Sequence, residues 1–175
     1  MLNSSKSTTC VQKVGQATQK IQLSSSRRHS AFTTTTYIPW IEIIGERTTM
    51  KAYTSSFSYV TSACLNQLYD EGETVSVASG WSFDNAALEA LNVSVTFADA
   101  WTSSAYNALV VTAPQEDSVL KTAEYVGLFA AMYNQEAKAN DIINAIEDRY
   151  ECVATNAETL ATTETKPRVL WLSYT

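Results

Sequence analysis

An α/β fold with a largely parallel sheet flanked by helices is what this sequence predicts, followed by a long helix and one orphan strand. Three observations predict it. Between Phe32 and Thr112, short β-branched runs alternate with stretches of helical spacing, the order that builds strand–helix–strand units. The run Leu109-Val110-Val111 is continuously apolar, which suits a strand covered on both faces. Asp117 to Val153 places Leu120, Ala123, Leu128, Phe129, Met132, Tyr133, Ala137, Ile142, Ile143, Ile146, Tyr150 and Val153 at steps that are mostly three and four. That is one face of a helix of about ten turns, roughly 50 Å long.

Each element has a local reason. Residues 1–29 are rich in Ser, Thr, Gln and bases and read as a disordered basic leader. Phe32 to Thr36 is β-branched and predicts a strand. Tyr37 to Gly45 predicts a short helix, with Pro39 in its first turn and Gly45 as its stop. Met50 to Thr54 is a short strand. Thr61 or Ser62 caps a helix through Tyr69, ended at the turn Asp70-Glu71-Gly72. Val75 and Val77 alternate with polar residues in a strand from Thr74 to Ala78, and Gly80-Trp81 is a loop. Ser82 or Asp84 caps a helix from Asn85 to Leu91. Strands follow at Val93 to Phe97 and Ala108 to Thr112. In the long helix Gly127 weakens the run locally, and Asn134 marks a kink or a break into two helices. Ala154 to Thr165 is polar, and Val169 to Tyr174 is strand-like with nothing after it to pair with.

Length and composition bound the function. The 175 residues, 45% hydrophobic and 17% charged, suffice for one domain with a core. Five of the 12 bases and none of the acids precede Glu42, so the remainder carries 18 acids against seven bases. An acidic body repels nucleic acid. No run of 18 apolar residues exists, so no transmembrane segment is expected. No signal peptide is visible, and the acid-free leader fits an organellar transit peptide or an arbitrary start equally well. Cys10, Cys64 and Cys152 lack metal-ligand spacing; they read as free thiols, or as one Cys64–Cys152 disulfide in an oxidising compartment.

No Walker loop, dinucleotide fingerprint, zinc motif or nucleophile elbow is present. His29 is the single histidine, and no Ser–His pair has a candidate. The expectation is therefore no catalytic residues, no metal ligands and no cofactor. In parallel sheets ligands bind at the carboxyl ends of the strands. The segments after the strands carry Tyr59, Trp81 and Trp101 as leading ligand-binding candidates, with Tyr37 and Tyr174 behind them. An aromatic, uncharged mouth suits a flat, partly apolar ligand. The competing reading is that these rings simply pack the top of the sheet.

Four stretches resemble one family. Tyr37-Ile-Pro-Trp-Ile-Glu-Ile-Ile-Gly45 is similar to the helix ending in Leu-Gly near the start of class III (cluster A-II) periplasmic binding proteins. These are the ferric siderophore, haem and cobalamin binders of ABC importers. Ala87 to Phe97 resembles their helix-to-strand segment, with Asn92-Val93-Ser94 in place of the usual Pro-Asp. Ser118 to Tyr125 with Leu128 to Asn140 looks like the start of their inter-lobe helix. Lys166 to Ser173 is similar to the Lys-Pro strand that opens their second lobe. The resemblance implies a first lobe over 30–116, a linker helix over 117–160, and the start of a truncated second lobe over 161–175. It implies a small-molecule metal chelate as ligand, an ABC-importer membrane partner and an extracytoplasmic place of work. Two alternatives stand beside it: a truncated, non-binding lobe acting as an interaction protein, and an enzyme acting on a small metabolite.

Overall fold

The computed structural model describes residues 29–79, 82–165 and 168–172. It is an α/β structure. Five strands form one sheet: β1 (His29–Phe32), β2 (Met50–Tyr53), β3 (Val75–Ser76), β6 (Val93–Ala98) and β7 (Ala108–Val110). Their order is β3-β2-β1-β6-β7, and every pairing is parallel. A two-residue antiparallel pair, β4 (Ala78–Ser79) with β5 (Ser82–Phe83), stands apart. It occurs where only a loop was expected, and it splits the predicted 74–78 strand at Val77.

β1 is the central strand, and its Ser30, Ala31 and Phe32 are wholly buried. It starts at His29, which therefore belongs to the sheet and not to a leader; its Nδ1 lies 2.8 Å from Leu91 O. The predicted continuation through Thr36 does not form. Thr34 Oγ1 instead accepts from Thr36 N at 3.4 Å and caps a single 3-10 turn, the local side-chain bonding by which Thr competes with extended structure.

Helices cover both faces. On one, α1 (Ile38–Ile43), α2 (Ala63–Asp70) and α4 (Val119–Ala131) contribute Ile38, Ile41, Leu65, Val126 and Phe129 to a core with Phe32, Tyr53, Val95 and Phe97. On the other, Leu88 of α3 (Asn85–Ala90) packs with Ala31, Ala52, Val77 and Val93. Three helix ends follow the predicted signals. Ser62 Oγ accepts from Leu65 N at 3.2 Å, and Asp84 Oδ1 accepts from Ala87 N at 3.0 Å. Gly45 ends α1 at φ +87°, and Glu46 N donates to Ile41 O across it, a Schellman-type stop.

The long helix is two helices. α4 ends at Ala131, Asn134 takes φ +55°, and Gln135 N donates back to Ala130 O at 2.9 Å. Asn tolerates this left-handed geometry better than most residues. The break is anchored on the α1–β2 connection. Tyr133 Oη lies 3.0 Å from Thr49 Oγ1, Gln135 donates to Glu46, and Lys138 Nζ donates to Ile44 O at 2.8 Å. A cation on the last carbonyls of a helix also meets the negative end of its dipole. α4 is thus packed into the sheet unit.

α5 (Glu136–Thr163) has 28 residues, about 42 Å of helix. It runs ten residues past the predicted Val153, because Ala, Glu and Leu in the following stretch are good helix formers however polar the stretch is. The chain divides into two compact units, and α5 takes part in both: the sheet unit extends to Ile143, and the other unit takes in Asn144 onward. Within 169–172 no strand forms, and Val169, Leu170, Trp171 and Leu172 are all largely exposed. β7 also departs from expectation. It is an edge strand with Val110 43% exposed; its continuous apolar run does not mean cover on both faces. Cys64 is a free, exposed thiol and Cys152 is disulfide-bonded, so a Cys64–Cys152 bridge is not the one formed.

Candidate functional site

The strand order fixes where a site can be built. From β1 the chain moves outward through β2 and β3, then crosses back to β6 on the other side of β1 and moves outward to β7. The direction of winding reverses between β1 and β6, and the crevice beyond their carboxyl ends is the usual ligand position in open parallel sheets.

Two turns meet there. Thr33, directly after β1, donates its N–H to Phe97 O at 3.0 Å. After β6, Asp99 caps the 3-10 turn Ala100–Thr102 with a complete capping box. Asp99 Oδ1 accepts from Trp101 N and Thr102 N, each at 2.9 Å, and Thr102 Oγ1 accepts from Asp99 N at 3.1 Å. Thr102 Oγ1 also lies 2.8 Å from Asp99 Oδ1 and 2.7 Å from Thr33 Oγ1. The Thr102 hydroxyl gives its one proton to the carboxylate, which leaves Thr33 to donate across the crevice. The turn is therefore held by its own cap and by the neighbouring strand, while Trp101 at its crest is 93% exposed.

A second exposed ring stands after β2. Ser56 caps the turn Phe57–Tyr59. Phe57 is buried, stacked on Tyr69 at 4.0 Å and edge-on to Tyr53 at 5.7 Å, so it is the anchor. Tyr59 is 67% exposed. The two free aromatic faces can stack on a flat or apolar-rimmed ligand, and the surrounding Thr and Ser hydroxyls can hydrogen-bond its edges.

The other predicted residues fare differently. Tyr37 is a core residue. It is fully buried, its Oη donates to Val111 O at 3.0 Å, and its ring packs tilted against both Trp40 and Phe129. Burial, with the Asp99 charge adding to it, pushes its phenol up to about 12. Its position after a predicted strand points to the mouth; the one-turn helix at Thr35–Tyr37 instead folds it inward. Trp81 and Tyr174 lie outside the described residues. Sequence reasoning missed Thr33, Asp99 and Thr102 as the frame of the site. The signal was present in Asp99-Ala-Trp-Thr102, a carboxylate three residues before a hydroxyl, which is a capping-box spacing read in reverse chemistry.

Among the described residues no three His, Cys, Asp or Glu side chains converge as metal ligands, and no helix is long and apolar enough to cross a membrane. The chain matches no protein-family model, no curated protein and no solved structure.

Proposed function

We propose that this chain is a solute-binding lobe with its connecting helix, taking a metal chelate of the ferric siderophore type for delivery to an ABC-type importer outside the cytoplasm. One observation carries the reading. A tryptophan that no core contact requires is held in a doubly braced turn at the switch point of a parallel sheet. A ligand-stacking role accounts for both its exposure and the rigidity beneath it. The hydroxyl-rich surround suits the oxygen-rich rim of a chelate, and α5 supplies a helix of the length that joins two lobes.

The test is a fluorescence titration with ferric siderophores, haem and cobalamin, made in a Trp171→Phe background because Trp171 is also exposed. The expected result is saturable quenching by one class of compound, abolished by Trp101→Ala with the melting temperature within about 2 °C of the parent, since surface changes typically move stability by under 0.5 kcal/mol. Binding that survives Trp101→Ala, or no response from folded protein at high micromolar ligand, refutes the proposal.

A second reading, an interaction lobe that binds no solute, is favoured by the four consecutive exposed side chains Val169 to Leu172. Contiguous apolar surface of that kind marks a contact site. It predicts concentration-dependent association that a Leu170→Ser, Leu172→Ser variant abolishes.

A further inference from the structure

The charge around the crevice narrows the ligand. Five segments follow the five parallel strands: 33–37, 54–62, 77–84, 99–103 and 111–118. They contain no Lys, Arg or His, and every charged residue in them is acidic: Asp84, Asp99, Glu116 and Asp117. Asp117 is offset by Lys121 at 3.5 Å. The other three are held by neutral groups: Asp84 by Ala87 N–H, Asp99 by Trp101 and Thr102 N–H, and Glu116 by the Tyr125 hydroxyl at 3.1 Å. Among the described residues no cation pairs with them. Hydrogen bonds from neutral donors orient a carboxylate but leave its charge in place.

We infer that the strand-end face of this lobe selects ligands of zero or positive net charge and rejects anions. The inference rests on the solute-binding reading above and goes beyond it. An anionic chelate brought against Trp101 approaches the Asp99 carboxylate, which accepts from the Trp101 backbone N–H at 2.9 Å, with no arginine or lysine in the five segments to offset it; like charges set together in this way suppress a wrong partner. A neutral chelate loses nothing to that field and keeps the stacking face. A neutral ferric trihydroxamate belongs to the accepted class. A trianionic ferric tris-catecholate, anionic ferric citrate and haem with its two carboxylates belong to the rejected class.

The experiment compares a neutral ferric trihydroxamate with a trianionic ferric tris-catecholate on the full chain, by tryptophan quenching, at low and at physiological ionic strength. Expected is saturable quenching by the neutral complex with little salt dependence. The trianion binds at least about tenfold more weakly at low salt, and the gap narrows as salt screens the repulsion. Asp99→Asn keeps a side-chain oxygen for the cap and removes the charge; at low salt it improves trianion binding relative to the neutral complex by about fivefold. Glu116→Gln moves binding in the same direction away from the cap. A trianion that binds as tightly as the neutral complex overturns the charge inference and leaves the solute-binding reading standing, as does a gap that neither substitution narrows. Failure of both complexes to bind overturns the reading itself, and the inference with it.

Discussion

Phe129→Ala tests whether α4 belongs to the sheet unit. Phe129 is wholly buried. Its ring stacks on Trp40 at 5.4 Å and 10° and meets Phe97 at 4.6 Å and Tyr37 at 5.9 Å. It therefore joins α4 to α1 and to the central strands at a single point. Removing a buried phenyl ring costs about 3–5 kcal/mol in transfer and cavity terms. The three aromatic contacts are already within that figure, and the upper half applies because rigid rings on three sides cannot collapse into the void. At about 2–4 °C per kcal/mol for a chain of this size, the melting temperature falls by roughly 8–20 °C. The assay is urea unfolding followed by far-ultraviolet circular dichroism, with an unchanged slope showing that the denatured state is the same. Leu128→Ala is the control. It neighbours Phe129 on the same helix but is 37% exposed, and it loses about 1 kcal/mol or less. A loss below about 1.5 kcal/mol for Phe129→Ala, or equal losses for the two variants, refutes the assignment of α4 to this core.

Two further predictions concern backbone and pH. Gly45 (φ +87°) and Gly72 (φ +76°) both sit where an L side chain is strained, by about 1–2 kcal/mol. A Cβ on Gly45 comes within 3.0 Å of Lys138 Nζ, whereas one on Gly72 meets nothing within 4 Å. Gly45→Ala is therefore the more destabilising in thermal melts; equal shifts would show that the Lys138 to Ile44 bond contributes nothing. Tyr37 is neutral when folded, and its pKa stands at about 12 instead of the ordinary 10.0. Its share of stability is whole below pH 10 and is lost as pH rises through 12. From pH 9 to 11.5 the urea midpoint of the parent drops further than that of Tyr37→Phe, and identical drops would contradict the burial assigned to this phenol.

Much of the framework was legible because it is written locally. Ser62, Asp84, Pro39, Gly45 and Gly72 are signals that act on the residues beside them, and the helices they delimit lie within a residue or two of expectation. What misled was information that depends on neighbours. Leu109 to Val111 looks buried on both faces, yet no local feature reveals that, among the described residues, no strand pairs beyond β7. Asn134 is a candidate break in the sequence, but what settles it is the tertiary anchoring of Tyr133, Gln135 and Lys138 around α1's end. Strand-end position led to Trp101 and Tyr59, whose rings are exposed. The same rule failed for Tyr37, because a residue's distance past a strand does not say which way a tight turn throws its ring.

The turn at Asp99–Thr102 has an evolutionary consequence. Its conformation is fixed by the Asp99 cap, the Thr102 hydroxyl and the reach from Thr33, none of which involves the indole of residue 101. On the proposed solute-binding role, folding and recognition are thus carried by different atoms of one short segment. Mutation at position 101 samples new chemistry on a constant platform, and a lineage can exchange one ligand for another there without passing through an unfolded ancestor.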